Sequence, residues 1–387
     1  MKRFAFWVVI FCIFTLFPGF GHAQPALKVG GLIPFSGRWG DSGRECARGM
    51  LDSARWLNQR GGVFGRKLDI LLIDDTSQTV ETMAAYRKLN EADRIILFYI
   101  YSTETALALL PHIHFDRIPT LVSSLPSQLA DPSKYPYIFS INPTALDLSK
   151  IAMKFISEGP GTKVKNPKIA FAGSPDPLGQ SFLNEAKQYA KTLRLTVGPD
   201  ILIQDTSPGQ KISSILPAVS QHSPDFSYIS LTSGEAASLF EEANKVASLK
   251  TRWVCSMKAF DENLAVYDGV FGVQPISPFG ENIPGMTGIK EAHQRWHPYD
   301  THTLSYVEGW ATVQVIAEVL GRSLPEERLS RGRVKAEFEG LKDFVVGGLV
   351  PPITITPSDH RPSVESRIFM IDKGKLARQT GFISIER

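Results

Sequence analysis

Three short segments hold residues able to grip a small anion. Phe35-Ser36-Gly37-Arg38-Trp39-Gly40-Asp41-Ser42-Gly43 combines glycines, which let the backbone approach a ligand, with Trp39, which offers an apolar face. Tyr101-Ser102-Thr103-Glu104 places hydroxyl residues where a helix opens. Backbone N–H groups at such a start hold a carboxylate against the positive end of the helix dipole. Ser123-Ser124-Leu125-Pro126-Ser127 repeats the hydroxyl theme. One such loop alone reads as helix capping by Ser or Thr. Three of them, after consecutive strands of one sheet, point to an anion site.

Catalytic patterns are missing from the sequence. It contains no Gly-x-Ser-x-Gly and no His-Glu-x-x-His, and no nucleophile–base pair emerges. Gly159-Pro160-Gly161-Thr162-Lys163 has a superficial likeness to a phosphate loop, but its spacing is wrong and it precedes a strand. His112 and His114 stand two apart on a predicted helix and so face different ways, a poor metal pair. His293, His297 and His302 flank Pro298 without a cysteine and read as surface histidines. No metal and no cofactor is expected.

The elements that must carry those loops alternate. Strands are predicted at Leu27–Ile33, Leu68–Ile73, Arg94–Tyr101 and Thr120–Val122, with helices over about 45–58, 78–91 and from Thr103. Gly61-Gly62 close the first helix. The plan restarts at Lys168–Ala172 and continues through strands Thr196–Ile203, Phe226–Leu231 and Arg252–Cys255, separated by helices over 182–193, 211–221 and 235–247. Strand–helix alternation means parallel, doubly wound sheets, which bind ligands in loops at the carboxyl ends of the strands. Helical sequence returns after 281, most apolar over Thr303–Gly321 and again at Val334–Leu341. The tail reads as β-hairpin material, with runs at Pro351–Thr356 and Arg367–Ile371 and a turn at Lys373-Gly374-Lys375.

Composition agrees with two such lobes. The chain has 387 residues, 43% hydrophobic and 21% charged, with a mean hydropathy of −0.06. That excludes disordered, collagen-like and coiled-coil chains. A net charge of +3 without a basic run in the body gives nucleic acid no footprint. Residues 1–23 read as a cleaved secretory signal: Lys2 and Arg3, an apolar run from Phe4 to Phe17, then Gly21-His22-Ala23 before Gln24. The run falls short of the roughly 20 residues that span a bilayer. Cys12 follows Phe11, which argues against a lipid anchor. The mature chain is therefore expected to be soluble, exported to the periplasm and monomeric. Cys46 and Cys255 are expected to be buried free thiols there.

Taken together, the chain resembles the periplasmic solute-binding proteins of the branched-chain amino-acid type, partners of ABC importers. The likeness runs from Leu27 to Ile385. It rests on Ile33-Pro34-Phe35-Ser36-Gly37, on Asn58-Gln59-Arg60-Gly61-Gly62-Val63-Phe64-Gly65-Arg66-Lys67-Leu68 above all, and on Asp74-Asp75. Tyr306-Val307-Glu308-Gly309-Trp310 and Gly347-Gly348-Leu349 with Pro352-Ile353-Thr354 complete it. The resemblance implies two α/β lobes joined by three crossovers, closing on a ligand as periplasmic binding proteins do. Lobe 1 would be 24–146 with 276–345, and lobe 2 147–275 with 346–387.

By the same resemblance, Ser102 and Thr103 hold the ligand carboxylate, Ser123 and Ser124 add to that grip, and Trp39 lines the cleft. Ser233 and Met257–Lys258 stand where amino-acid binders place an aromatic and an acid. The sequence departs there: Leu178 replaces a common tyrosine and the ammonium-pairing acid is missing, with Glu235 or Asp261 as substitutes. Lys258 in that place favours a carboxylate ligand with an apolar or aromatic body, beside a neutral amino acid such as leucine. The function implied is a non-enzymatic receptor delivering its ligand to an ABC permease and ATPase. A sensor of the same fold that signals to a membrane receptor, or an exported hydrolase, are the competing readings.

Overall fold

The computed structural model describes residues 24–76, 79–160, 164–203, 208–324 and 329–387. The signal segment with Cys12, and residues 161–163 of the Gly159–Lys163 loop, lie outside them.

The first sheet is wholly parallel. Its strands are β1 (Leu27–Ile33), β2 (Leu68–Asp74), β3 (Leu97–Ile100), β4 (Thr120–Val122) and β5 (Ile138–Phe139), in the order β2-β1-β3-β4-β5. Both faces of β1 and β3 are buried, as a parallel sheet covered by helices requires. The covering helices are α1 (Gly40–Gln59), α2 (Thr79–Arg87) and α3 (Thr103–Asp116).

After α4 (Ala145–Ser157) the chain builds a second sheet. Strands β6 (Lys168–Gly173), β7 (Thr196–Leu202), β8 (Phe226–Ser230), β9 (Arg252–Cys255) and β10 (Phe271–Gln274) are parallel. Helices α5 (Pro177–Thr192), α6 (Pro208–His222) and α7 (Ser233–Asn244) connect them. Three further helices follow: α8 (Met286–Trp296), α9 (Leu304–Ser323) and α10 (Arg331–Glu339). The tail then returns to the second sheet: β11 (Glu365–Asp372) runs antiparallel to β10 and pairs with β12 (Lys375–Arg378) and β13 (Ile383–Ser384). The chain thus passes between the two sheets three times.

Glycine brings α9 back against the first sheet's layer. A Cβ on Gly49 of α1 would lie 2.0 Å from the Tyr306 carbonyl oxygen, and one on Gly309 of α9 would lie 2.0 Å from that of Cys46. Only two facing glycines let these helix backbones approach so closely. Tyr306 donates to Asp52 Oδ2 at 2.9 Å, and Trp310 is buried in the same seam.

Two sequence expectations need correction. Pro351–Thr356 is not a strand: Ile353 and Thr356 form only isolated bridges, to Phe344 and Asp359, because two prolines deny a ladder its donors. Just beyond this stretch the His360 ring packs on the first sheet, stacking on Phe139 at 4.4 Å and donating from Nδ1 to Ile138 O at 2.8 Å. The tail strands begin only at Glu365. The histidines also differ. His302 is buried, stacks on Tyr306 at 3.8 Å and meets His293 Nδ1 at 3.2 Å through its Nε2. Packing under α9 explains the cluster, and no group of His, Cys, Asp or Glu suited to a metal occurs among the described residues.

Candidate functional site

The carboxyl ends of β1, β3 and β4 face those of β6, β8 and β9 across a cleft. Trp39, Ser102, Thr103, Ser123, Ser124 and Lys258 all line it, so the structure brings six of the seven candidate residues together. Ser233 lines an adjoining, more polar chamber, which shares Trp39, Tyr101 and Lys258 with the first. The first chamber is floored by apolar side chains: Leu148, Leu178, Phe182, Leu231 and Met257 join Trp39.

Ser102 is the N-cap of α3: its Oγ accepts from Thr105 N at 3.2 Å and donates to Glu104 Oε2 at 2.9 Å. Thr103 Oγ1 donates to Ser124 O at 3.3 Å. The first N–H groups of a helix have no intrahelical acceptor, and those of α3 open at this cleft. A ligand carboxylate placed here would meet backbone donors and the positive end of the α3 dipole. Ser233 is committed elsewhere, donating to Asp261 Oδ2 at 2.6 Å and accepting from Asn263 at 3.2 Å.

Lys258 follows β9 on a short turn, Met257–Ala259, and reaches across to the opposite lobe. Its Nζ donates to Ser123 Oγ at 2.8 Å and to Glu308 Oε2 at 3.1 Å, and lies 3.5 Å from Tyr101 OH. Glu308 is 3% exposed at its side chain, and its other oxygen accepts from Ser123 at 2.5 Å and Asn142 Nδ2 at 3.0 Å. Burial, the largest single influence, works against the Lys258 charge, but Glu308, Tyr101 and Cys46 together overcome it and hold the ammonium above the ordinary lysine range. Removing one partner of a buried pair costs about 3–5 kcal/mol, whereas an exposed pair is worth under about 1 kcal/mol. Lys258–Glu308 is the more buried of the ion pairs Lys258–Glu308 and Arg38–Glu235 across the cleft, so removing one partner there should be the costlier change.

Other links reinforce it. Arg38, on the loop after β1, pairs with Glu235 of α7 at 2.8 Å. Ser127 donates to Glu185 of α5 at 3.1 Å. Glu262 accepts from Leu304 N, at the start of α9, at 3.0 Å. Burial pushes the Glu262 carboxyl up to about 7, and Asp261 and Glu45 add to the rise against opposing hydrogen bonds.

Both substitute acids already hold partners within the protein. Glu235 closes a capping box with Thr232 besides holding Arg38, and Asp261 holds Ser233 and Asn263. Lys258 in turn is not a free cation awaiting a second anionic group, because Glu308 neutralises it. Sequence reasoning missed Glu308 and Tyr101 as site residues. The available signal was an acid in the middle of the most apolar helical stretch, where only Glu318 accompanies it, since a fully buried carboxylate needs a partner.

The sequence profile described as "Periplasmic binding protein" matches residues 26–375, and the chain belongs to that family. A curated relative, "Leu/Ile/Val-binding protein homolog 7" of Brucella suis biovar 1 (strain 1330), is 22% identical over 211 residues. The match covers 53% of this chain and 51% of the relative, so the chain spans about half the length of the curated relatives it matches. Two solved structures share the fold. A branched-chain amino-acid ABC transporter protein from Thermus thermophilus with bound valine has a TM-score of 0.83 and 20% identity, covering 94% of this chain and 97% of that one. A fatty-acid ABC transporter substrate-binding protein from Thermomonospora curvata has a TM-score of 0.81 and 20% identity, covering 95% and 94%.

Proposed function

We propose that the chain is an extracytoplasmic solute-binding receptor of an ABC importer, which captures a small carboxylate by closing two lobes and performs no catalysis. The observation that carries this reading is the cleft itself: helix α3 opens at one wall, apolar side chains line the floor, and side chains from both lobes bridge its mouth. The two solved structures named above are described with valine and as a fatty-acid protein. Valine and fatty acids share a carboxylate, and only valine carries an ammonium. In this chain the carboxylate is assigned to the α3 N-terminus at Ser102 and Thr103, with Ser124 beside it. The apolar body is assigned to Trp39, Leu178 and Phe182.

The same reading makes the protein a periplasmic monomer whose partners are a permease and an ATPase of the inner membrane. No helix among the described residues is long and apolar enough to cross a membrane. Thermal unfolding against branched-chain amino acids, their keto acids and benzoate-like acids tests the ligand class. A ligand at 100 times its dissociation constant adds about 2.7 kcal/mol of stability. Stabilisation by acids lacking an ammonium is the expected outcome. Strong stabilisation by leucine or valine alone, with none from the deaminated acids, would reverse the assignment.

A further inference from the structure

A carboxylate, a hydroxyl and an aromatic face converge on one point of the cleft. Lys258 Nζ occupies that point, 3.1 Å from Glu308 Oε2, 2.8 Å from Ser123 Oγ and 4.5 Å from the centre of the Tyr101 ring. This set of groups recognises an ammonium by charge, by hydrogen bonding and by cation–π attraction. Glu308, Ser123 and Tyr101 all belong to the first lobe, so the cage is complete without the second lobe except for the cation that fills it. Both chambers of the cleft border on that cation.

We propose that Lys258 is a specificity-determining residue: its tethered ammonium fills the Glu308–Ser123–Tyr101 cage from within, and the cleft therefore takes acids that carry no ammonium. The proposal rests on the reading of the cleft as a site for a small acid. A second ammonium could reach Glu308 only by displacing Lys258 or by sharing one carboxylate with it in a largely desolvated site, and like charges so placed repel strongly. The remaining Glu308 oxygen is already taken by Ser123 and Asn142. Of the other acids lining the cleft, Asp41 pairs with Arg44, while Asp261, Asp176 and Glu104 accept from Ser233, Ser174 and Ser102. Once Lys258 is removed, Glu308 is left as a buried carboxylate without its cation, ready to receive a ligand ammonium.

Lys258→Ala deletes three carbons and the ammonium, so n-propylammonium is the matching probe and n-propanol its neutral control. Calorimetry should show propylammonium binding to Lys258→Ala about tenfold or more tighter than to the unmodified protein. Propanol should show no such gain, and the gain should vanish in Lys258→Ala/Glu308→Gln. Equal affinity of the unmodified protein and a folded Lys258→Ala for propylammonium would overturn the proposal. If Lys258→Ala folds only with propylammonium present, the proposal is supported. If it folds in neither condition, Lys258→Met decides: a shift of thermal stabilisation from 4-methyl-2-oxopentanoate towards L-leucine supports the cage, and an unchanged preference overturns it. The amine measurement needs no natural ligand. Failure of every acid to bind would therefore sink the receptor reading while leaving the cage result standing.

Discussion

Hydroxyl and thiol groups around the cleft divide by what already holds them. Ser102 is engaged by Thr105 N and Glu104, so Ser102→Ala should cost about 1 kcal/mol of stability through the lost helix cap. Its effect on acid affinity should stay within about 1–3 kcal/mol because the backbone donors survive. Denaturant unfolding and calorimetry on the same variant separate the two losses. An affinity loss without a stability loss would contradict the capping role. Cys46 and Cys255 are buried and free, and burial pushes the Cys46 thiol up to about 12, with Glu308 adding to the rise. A thiol held protonated is a poor nucleophile. Iodoacetamide should therefore label neither in the native protein and both in denaturant; mass spectrometry reads the count, and native labelling of Cys46 would contradict the burial. The cleft positions Trp39, Ser102, Thr103, Ser123 and Ser124 were legible because they sit in loops at strand ends, where glycine and hydroxyl residues stand out. Lys258 was legible only as a cation out of place. Its partner Glu308 lies 50 residues on, and nothing local in sequence joins the two.

At the scale of elements, the α1–α9 seam and the start of α9 carry most of what can be tested. Gly309→Ala would drive a methyl into the Cys46 carbonyl, and overpacking of this kind costs about 1–3 kcal/mol or more. Gly332→Ala on α10 meets nothing within 4 Å and should be neutral or slightly stabilising, since alanine is the better helix former. A melting temperature unchanged by Gly309→Ala would show that the seam is looser than it looks. Glu262 predicts a pH dependence. Its carboxyl is raised from 4.5 to about 7 in the fold, so its contribution is fully present below pH 4.5 and is lost as pH rises towards 7. Glu262→Gln should therefore gain stability relative to the unmodified protein across that window. Melting curves at several pH values check it, and a constant difference would remove Glu262 as the cause. Alternating elements were readable because each strand and helix has its own period. The tail strand at Arg367–Ile371 was readable too, whereas 351–356 was misread, since an apolar run flanked by turns reads as strand whether or not its donors exist.

The whole molecule is two sheets crossed three times by one chain, with the candidate site at the seam between them. Lys258–Glu308, Arg38–Glu235 and Ser127–Glu185 each tie one side of the cleft to the other. The two-lobe plan was legible from the restart of the strand–helix series near residue 167. Where the chain crosses for the third time was not, because residues up to His360 pack on the first sheet through contacts such as His360 with Phe139. On the proposed reading, an acid would lay its apolar body against Trp39, Leu178 and Phe182, so binding should carry a negative heat-capacity change. The most direct measurement is calorimetric titration of the purified protein with 4-methyl-2-oxopentanoate, benzoate and L-leucine under one condition. The account predicts one acid bound per chain, with L-leucine about tenfold or more weaker than the better of the two deaminated acids. Leucine binding as tightly as either acid, or no binding by any of the three, would contradict it.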